Sequence, residues 1–240
     1  MQIENYQTWE DNLKLSLEEL NLELKGNENA AQLYNGFSVW GSNVFSHPKF
    51  LFIGINTGDG NPNNNKRVEE KPLTEMCYLE YVNGENDGFD LARETYEVFE
   101  SLGFTEDEIR TIFKEECVKT NFYYIITKGQ KDIKPCLDAL GRDRWNDFWK
   151  MSYQWTLEVI EMVKPQFIIC EGKSSFNEIK DMFEGIFGKE EISWTWEDYC
   201  GVVELKNEGL IVLGYERNYS LIKNKQGFAK LLKKYAYPEK

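Results

Sequence analysis

The sequence contains a single histidine, His47. Catalytic triads and most zinc sites depend on imidazole groups, so this scarcity argues against both kinds of site. His47 precedes Pro48, just before the first predicted strand. This position is typical of a turn, and we expect His47 to be a turn residue.

The cysteines are few and scattered, and no two of them have the C-x-x-C spacing of redox or metal sites. They are Cys77, Cys117, Cys136, Cys170 and Cys200. Neither a disulfide framework nor a zinc or iron–sulfur site is indicated. The residues after Met1 lack a basic region followed by an apolar one, and no apolar run approaches membrane-spanning length. We therefore expect a reduced, cytoplasmic protein without a membrane partner.

Basic residues are also in the minority, at 28 against 41 acidic ones, for a net charge of −13. Affinity for nucleic acid comes mainly from Lys and Arg contacts with phosphates, so this balance disfavours a general polyanion binder. Residues 217–240 are different, with seven basic residues and a single acid, Glu239, for a local charge of +6. This basic C-terminal strip predicts a partner with phosphates, either DNA or a nucleotide-like substrate; the alternative is a solvated helix face.

Apolar strands alternate with amphipathic helices along most of the chain. Strands are expected at residues 50–55, 117–126, 166–170 and 210–213, with an antiparallel pair within 192–205. Helices are expected at residues 6–24, 91–102, 142–163 and 225–235, and further helices are expected to begin near Thr105 and Gly172. This alternation predicts one α/β domain, a three-layer α/β/α sandwich with a mostly parallel sheet. It spans residues 1–240 and includes an N-terminal helical extension over about residues 1–48.

The first strand stops abruptly at Asn56, which is set among glycines. Parallel sheets bind ligands outside the carboxyl ends of their strands, and glycine lets the backbone approach a ligand closely. A polar segment, residues 57–90, follows and is long for a simple connection. The pattern predicts a strand that delivers Asn56 to a binding site.

Several motifs, taken in order, resemble the uracil-DNA glycosylase superfamily, and its mismatch-specific branch in particular. Residues 54–58 read Gly-Ile-Asn-Thr-Gly, where the family motif has Gly-Ile-Asn-Pro-Gly. Residues 92–96 and 102–104 are similar to a family helix and the turn that ends it, and Thr120-Asn121 stands where the second strand carries a polar pair. Lys164-Pro165 through Lys173 is similar to the third strand, and residues 218–222 to the last motif, with Tyr219 in place of a proline.

The resemblance implies an enzyme that hydrolyses the N-glycosidic bond of a uracil, a mismatched base or a modified base flipped out of DNA. Asn56 would orient the attacking water, because an amide cannot take up a proton at neutral pH. Backbone N–H groups near Gly58, or the Asn218 amide, would stabilise the departing base. Asp59 is an alternative base, since a carboxylate accepts protons. No cofactor or metal is implied.

The same resemblance implies a base pocket and a DNA-contacting loop. Gly54, Ile55, Thr57 and Gly58 would shape the pocket, and Asn121 would read the edge of the base. An aromatic side chain would stack on the base, and the sequence leaves Tyr78, Tyr81 and Phe89 open for this role. The predicted DNA contacts are Arg217, Ser220, Leu221, Ile222, Lys223 and Lys225. Either Ile222 or Leu221 would fill the gap that the flipped base leaves in the stack.

Other functions remain open at this stage. A glycosylase fold with an altered site could bind a nucleic acid, a nucleotide or a protein partner, or could act on a free nucleoside. The glycines around Asn56 also distantly resemble the first loop of nucleotide-binding or S-adenosylmethionine-binding folds. That pattern expects an acidic residue about 20 positions later at the end of a second strand. The next predicted strand carries Thr120 and Asn121 there instead.

Overall fold

A computed structural model of the chain describes residues 6–58, 67–68 and 75–238. These residues form helices on both sides of one large sheet. The α-helices are α1 (Tyr6–Gly26), α2 (Glu28–Ala31), α3 (Leu79–Val82), α4 (Asp90–Ser101), α5 (Glu106–Thr111), α6 (Ile133–Asp138), α7 (Arg144–Val163), α8 (Lys173–Phe187) and α9 (Lys225–Tyr235). A π-helical turn, Ile112–Glu116, follows α5.

Eight strands form the sheet, in the order β3-β1-β4-β2-β5-β8-β7-β6. Its strands are β1 (Tyr34–Phe37), β2 (Phe50–Gly58), β3 (Arg67–Val68), β4 (Cys117–Thr127), β5 (Phe167–Glu171), β6 (Ile192–Glu197), β7 (Cys200–Leu205) and β8 (Ile211–Tyr215). A separate small hairpin joins β9 (Arg217–Asn218) to β10 (Leu221–Ile222).

The four central strands are parallel, and the strands on either side of them join the centre by antiparallel pairing, while β3 pairs parallel to β1 at one edge. Strands β4, β2, β5 and β8 run parallel to one another, with Ile53 of β2 paired with both Thr120 of β4 and Cys170 of β5. Strand β1 is antiparallel to β4, and β7 is antiparallel to both β8 and β6. The predicted α/β class with a mostly parallel central sheet is therefore confirmed. The buried parallel strands read as apolar runs because both of their faces are covered.

Two hydrophobic clusters cover the two faces of the sheet. One contains Leu51 and Ile53 of β2 and packs beneath α1, α7 and α8. The other contains Phe50 and Phe52 of the same strand and packs beneath α4, α9 and the segment around Tyr78. Alternate side chains of a strand point to opposite faces, so β2 contributes to both clusters. The site described below lies in the second of these layers.

The element boundaries agree closely with the sequence-based expectations. Helix α9 has the predicted limits, and the antiparallel pair expected within residues 192–205 is the β6–β7 hairpin. Strand β1 is the main difference, because the predicted helical extension over residues 1–48 contains this sheet strand as well as α1 and α2. Its sequence, Tyr-Asn-Gly-Phe, is short and contains Gly and Asn, which weaken the strand signal. Pairing with the buried strand β4 stabilises it.

Candidate functional site

Asn56 lies near the carboxyl end of β2, which continues to Gly58 rather than stopping at residue 55 as expected. Its side chain is buried, and Nδ2 donates a hydrogen bond of 3.2 Å to Oγ1 of Thr127 on β4. Thr127 Oγ1 in turn donates to the carbonyl of Gly129 at 2.8 Å. This chain of hydrogen bonds fixes the plane of the Asn56 amide and hence the direction of Oδ1. An amide oxygen accepts up to two hydrogen bonds, so an amide held in this way can orient a water molecule.

Asn121 lies on β4 directly beside Gly54, its register partner on β2. A Cβ atom on Gly54 would be 2.4 Å from Oδ1 of Asn121 and 3.3 Å from Oε2 of Glu171. Both distances are shorter than an ordinary van der Waals contact, so only glycine accommodates these two polar groups here. Gly54 therefore brings the amide of β4 and the carboxylate of β5 over one point of the sheet.

Glu171 belongs to a buried ion pair that is not among the site residues predicted from the sequence. Its carboxylate accepts hydrogen bonds from the Lys119 ammonium and from the Tyr78 hydroxyl. Lys119 Nζ also lies 3.3 Å from the Tyr78 oxygen. The exposed fractions are 8% for Lys119, 1% for Glu171 and 0% for Tyr78. Three titratable side chains from separate parts of the chain thus meet beside Asn121 and Gly54; we call Lys119, Glu171 and Tyr78 the buried triad.

The electrostatics of the buried triad keep Tyr78 in its neutral form. Burial, and after it the nearby charge of Glu171, raises the pKa of Tyr78 well above its usual value. The phenol therefore acts as a hydrogen-bond donor to Glu171 at any ordinary pH. Burial and the charge of Glu171 also raise the pKa of Tyr215, the register partner of Glu171 on β8. The carboxylate is accordingly surrounded by one cation and by phenols that stay protonated.

The sequence does contain a signal for this ion pair. Lys119 interrupts β4 and Glu171 ends the apolar run of β5. Charged residues are almost never fully buried unless they are paired, so a charge in or at the end of an apolar strand indicates that a partner is present. The pairing itself is invisible in the sequence, because 52 positions separate the two residues.

The remaining predicted pocket residues divide into two groups. Ile55 is buried in the cluster on the opposite face of the sheet, and the Gly58 backbone continues β2 in register with Thr127. The Thr57 side chain and the whole of Asp59 lie outside the described residues, so their predicted roles stay predictions.

The three aromatic candidates for base stacking have different surroundings. Tyr78 is fully buried, and its ring is in edge contact with Phe52 and with Phe89, at centroid distances of 6.0 Å and 5.5 Å. Phe89 is half-buried and lies just before α4. Tyr81 packs against Tyr96 instead, at 5.8 Å. Phe89 is therefore the half-buried aromatic side chain that contacts the buried triad.

The predicted DNA-contacting loop is the hairpin of β9 and β10, directly after β8. Asn218 is exposed and pairs with Leu221. Tyr219 at the turn is 91% exposed and has a positive φ of 56°, which a bulky side chain rarely adopts. Ser220 is half-buried, Leu221 is exposed and Ile222 is buried, with its N–H donating to Glu94. Between the two wedge candidates, only Leu221 is accessible.

At least two of the seven basic residues of the strip form ion pairs with acids. Lys223 forms an ion pair with Glu216, and Lys225 forms ion pairs with both Glu94 and Glu97. Arg217 is half-buried, and its Nε would lie 3.5 Å from a Cβ on Gly172, the residue that follows Glu171. Arg217 thus flanks the carboxyl end of β5, whereas the charges of Lys223 and Lys225 are locally neutralised.

His47 occupies a bend and has a positive φ of 60°, in agreement with the predicted turn. In the part of the chain that the structure describes, no group of three or more His, Cys, Asp and Glu side chains is placed to hold a metal ion. Across residues 6–58, 67–68 and 75–238, none of the helices has both the length and the apolar character that a bilayer span requires.

No protein-family model matches the chain, and no curated protein matches it.

Proposed function

We propose that this chain hydrolyses the N-glycosidic bond between a nucleobase and its sugar, as the resemblance to uracil-DNA glycosylases implies. One observation carries the proposal. The asparagine of the Gly-Ile-Asn motif is buried at the carboxyl end of the central strand with its amide fixed by Thr127. Ligands bind at this edge of parallel sheets. A buried amide held in one orientation suits the positioning of a water molecule better than it suits packing.

In the proposed reaction Asn56 Oδ1 accepts a hydrogen bond from the attacking water and aims its oxygen at the sugar C1′. The water oxygen forms a bond to C1′ while the C1′–N bond breaks, and the electron pair of that bond leaves with the base. The water proton ends on the base nitrogen, so the products are the free base and a sugar with a hydroxyl at C1′. Asn56 contributes positioning and takes up no proton.

The base would lie beside Gly54, where it reaches the Asn121 amide that covers this glycine. Asn121 offers both a donor and an acceptor, which suits a base edge that carries a carbonyl beside an N–H. Of the aromatic candidates we assign base stacking to Phe89, because it is half-buried and contacts Tyr78. Tyr78 is enclosed and bound to Glu171, so its ring face is not offered to a ligand.

For the substrate we propose a uracil, a mismatched base or a modified base flipped from DNA, with Leu221 entering the vacated space in the stack. Its half-exposed side chain on the β9–β10 hairpin supports this role. A free nucleoside or nucleotide is the second candidate. It is favoured by the ion pairs of Lys223 and Lys225 with acidic residues, because paired cations contribute less to phosphate binding.

The test is base release, followed by chromatography, from a panel of substrates. The panel contains single- and double-stranded oligonucleotides with uracil, mismatched thymine, hypoxanthine or a hydroxymethylated base, together with free deoxyuridine and deoxyinosine. Release from an oligonucleotide supports the DNA proposal, and release from the nucleosides alone supports the second candidate. If no base is released from any substrate of the panel, the protein does not hydrolyse the N-glycosidic bonds of these bases. The alternative, a protein that binds a nucleic acid, a nucleotide or a protein partner, would then be favoured.

A further inference from the structure

The buried triad is more than the fold requires. Removing two charges from water is costly, and buried ion pairs can often be replaced by apolar residues without loss of stability. Phe52 and Ile169 are apolar and lie in register with Lys119 across the neighbouring strands. A third apolar residue, at position 119, would therefore continue the layer. The charges at this place call for a role beyond packing.

The position of the ion pair connects it to the proposed base pocket. Glu171 Oε2 faces the same Gly54 position that Asn121 Oδ1 faces, and Oε2 is the atom that accepts from Lys119. A base that reaches the Asn121 amide therefore also comes close to the Lys119 ammonium. The ammonium has three N–H groups, of which one is directed to Glu171 and one is near the Tyr78 oxygen.

On these grounds, and resting on the proposed hydrolysis, we propose that Lys119 is a catalytic residue that donates a hydrogen bond to the carbonyl oxygen of the departing base. When the C1′–N bond breaks, the electron pair spreads from the base nitrogen onto this oxygen. A charge-assisted hydrogen bond is strongest where negative charge develops in a buried site. Glu171 and Tyr78 are positioning residues that hold the ammonium in place.

The negative charge of Glu171 does not cancel this role. A lone ammonium would be expensive to bury in the resting protein, and the carboxylate offsets that cost. A lysine held by a glutamate still stabilises anionic groups in protein kinases, where the ion pair sets the lysine in position for the phosphates of ATP. Here Glu171 Oε2 faces Gly54 beside the ammonium, and the N–H group of Lys119 directed to the base carbonyl would supply the stabilisation.

The experiment compares release of uracil with release of 5-fluorouracil, whose more acidic ring nitrogen makes it a better leaving group. We expect Lys119→Gln to slow uracil release by about 100-fold, the order of magnitude for loss of one donor to a developing anion. The slowing should be at least about tenfold smaller for 5-fluorouracil, which needs less stabilisation. An equal loss for both bases would contradict the proposal, since a purely structural defect does not depend on the leaving group.

Two further variants guard against a simple folding defect. In Lys119→Gln combined with Glu171→Gln, no buried charge is left unpaired, and we expect the same dependence on the leaving group. Lys180→Gln is the matched control, because Lys180 is also a mostly buried lysine, in ion pairs with Asp181 and Glu184 on α8. It should release both bases at the wild-type rates.

A binding measurement separates this inference from the proposed hydrolysis. Titration calorimetry with free 5-fluorouracil requires no turnover, and the base ionises in mildly alkaline solution. We expect the wild-type protein to bind the anionic base at least tenfold more tightly than Lys119→Gln does, and to bind the neutral base with a smaller difference. If the wild-type protein binds neither form of the base more tightly than Lys119→Gln does, the role of Lys119 is overturned. This conclusion holds whatever the outcome of the release assay.

Discussion

At the scale of single residues, glycine at position 54 is a requirement of the candidate site. The carboxylate of Glu171 and the amide of Asn121 occupy the space where a side chain would begin. The sequence predicts that glycine at position 54 lets a ligand approach the backbone closely. The structure shows that protein side chains also lie close to the backbone at this position. A methyl group here would displace polar atoms that are buried and hydrogen-bonded.

We expect Gly54→Ala to lower the free energy of unfolding by about 1–3 kcal/mol, the usual cost of adding atoms to a packed interior. The reason is the 2.4 Å approach of the new methyl carbon to Asn121 Oδ1. Urea unfolding measures the change. Gly26→Ala is the control, since a Cβ there has no neighbour within 4 Å and alanine favours the helix. Equal unfolding midpoints for the two variants would show that the crowding at Gly54 is unimportant.

The cysteines give a second prediction at this scale. Burial raises the pKa of Cys136 and of Cys200 to about 12, and it raises the pKa of Cys117 and Cys170 well above the usual range. The thiolate is the reactive form, so these four thiols should be nearly inert in the native protein at pH 8. Cys77 is the half-buried one.

A chromogenic disulfide reagent should therefore modify about one thiol per chain quickly, and the other four only after unfolding in guanidinium chloride. Peptide mapping should identify the fast thiol as Cys77. Rapid reaction of two or more thiols in the native state would mean that the packing around at least one of the buried thiols, on β4, α6, β5 or β7, is open to solvent.

At the scale of elements, the start of α5 illustrates a local rule that holds. Thr105 caps the helix by accepting a hydrogen bond from the Glu108 N–H, and the Glu108 side chain accepts from the Thr105 N–H in return. This reciprocal capping box satisfies two backbone donors that would otherwise have no partner in the helix. The sequence predicts it because only residues four apart or fewer take part.

We expect Thr105→Ala to destabilise the protein by about 1 kcal/mol, a typical cost for loss of an N-cap. Thr111→Ala, in the same helix, should not destabilise the protein, because the Thr111 hydroxyl donates only to the Asp107 carbonyl within the helix.

Hydrogen bonds from Thr105 lower the pKa of Glu108. The part of the capping box that depends on the Glu108 carboxylate therefore contributes at neutral pH and is lost as pH falls through that lowered pKa, whereas the bond from the Glu108 N–H to Thr105 Oγ1 remains. Urea unfolding at neutral and acidic pH should show the difference between Thr105→Ala and wild type narrowing in acid.

The elements show how far the sequence determines this fold. Strand β2, strand β4 and helix α9 follow from apolar patterns and from capping, which act over a few residues. Strand β1 does not, because four residues with a glycine become a strand only through pairing with β4. The buried triad is likewise set by the alignment of β4 with β5 through β2 and by the distant Tyr78. Contacts between residues so far apart in the sequence cannot be predicted from the neighbouring residues. The sequence shows only that a charged residue occurs in an apolar strand.

At the scale of the whole molecule, the distribution of charge bears on the substrate. The chain has a net charge of −13, and the basic residues 217–240 were the expected exception. In the folded chain Glu94 and Glu97 of α4 pair with Lys225, and Glu216, between β8 and β9, pairs with Lys223. The net charge of a segment therefore overstates its capacity to bind phosphate. Arg217 lies beside Gly172, the residue that follows Glu171 of the buried triad.

The proposed role of Asn56 in positioning water for release of a base can be tested with one kinetic comparison. It is the single-turnover rate of base release from the best substrate of the panel, for wild type and Asn56→Ala. Exposed Asn207→Ala serves as the control. We expect Asn56→Ala to release base at least about 100-fold more slowly, since a misplaced nucleophile has a cost of this order, and Asn207→Ala to keep the wild-type rate. Equal rates for wild type and a folded Asn56→Ala would contradict the proposed role.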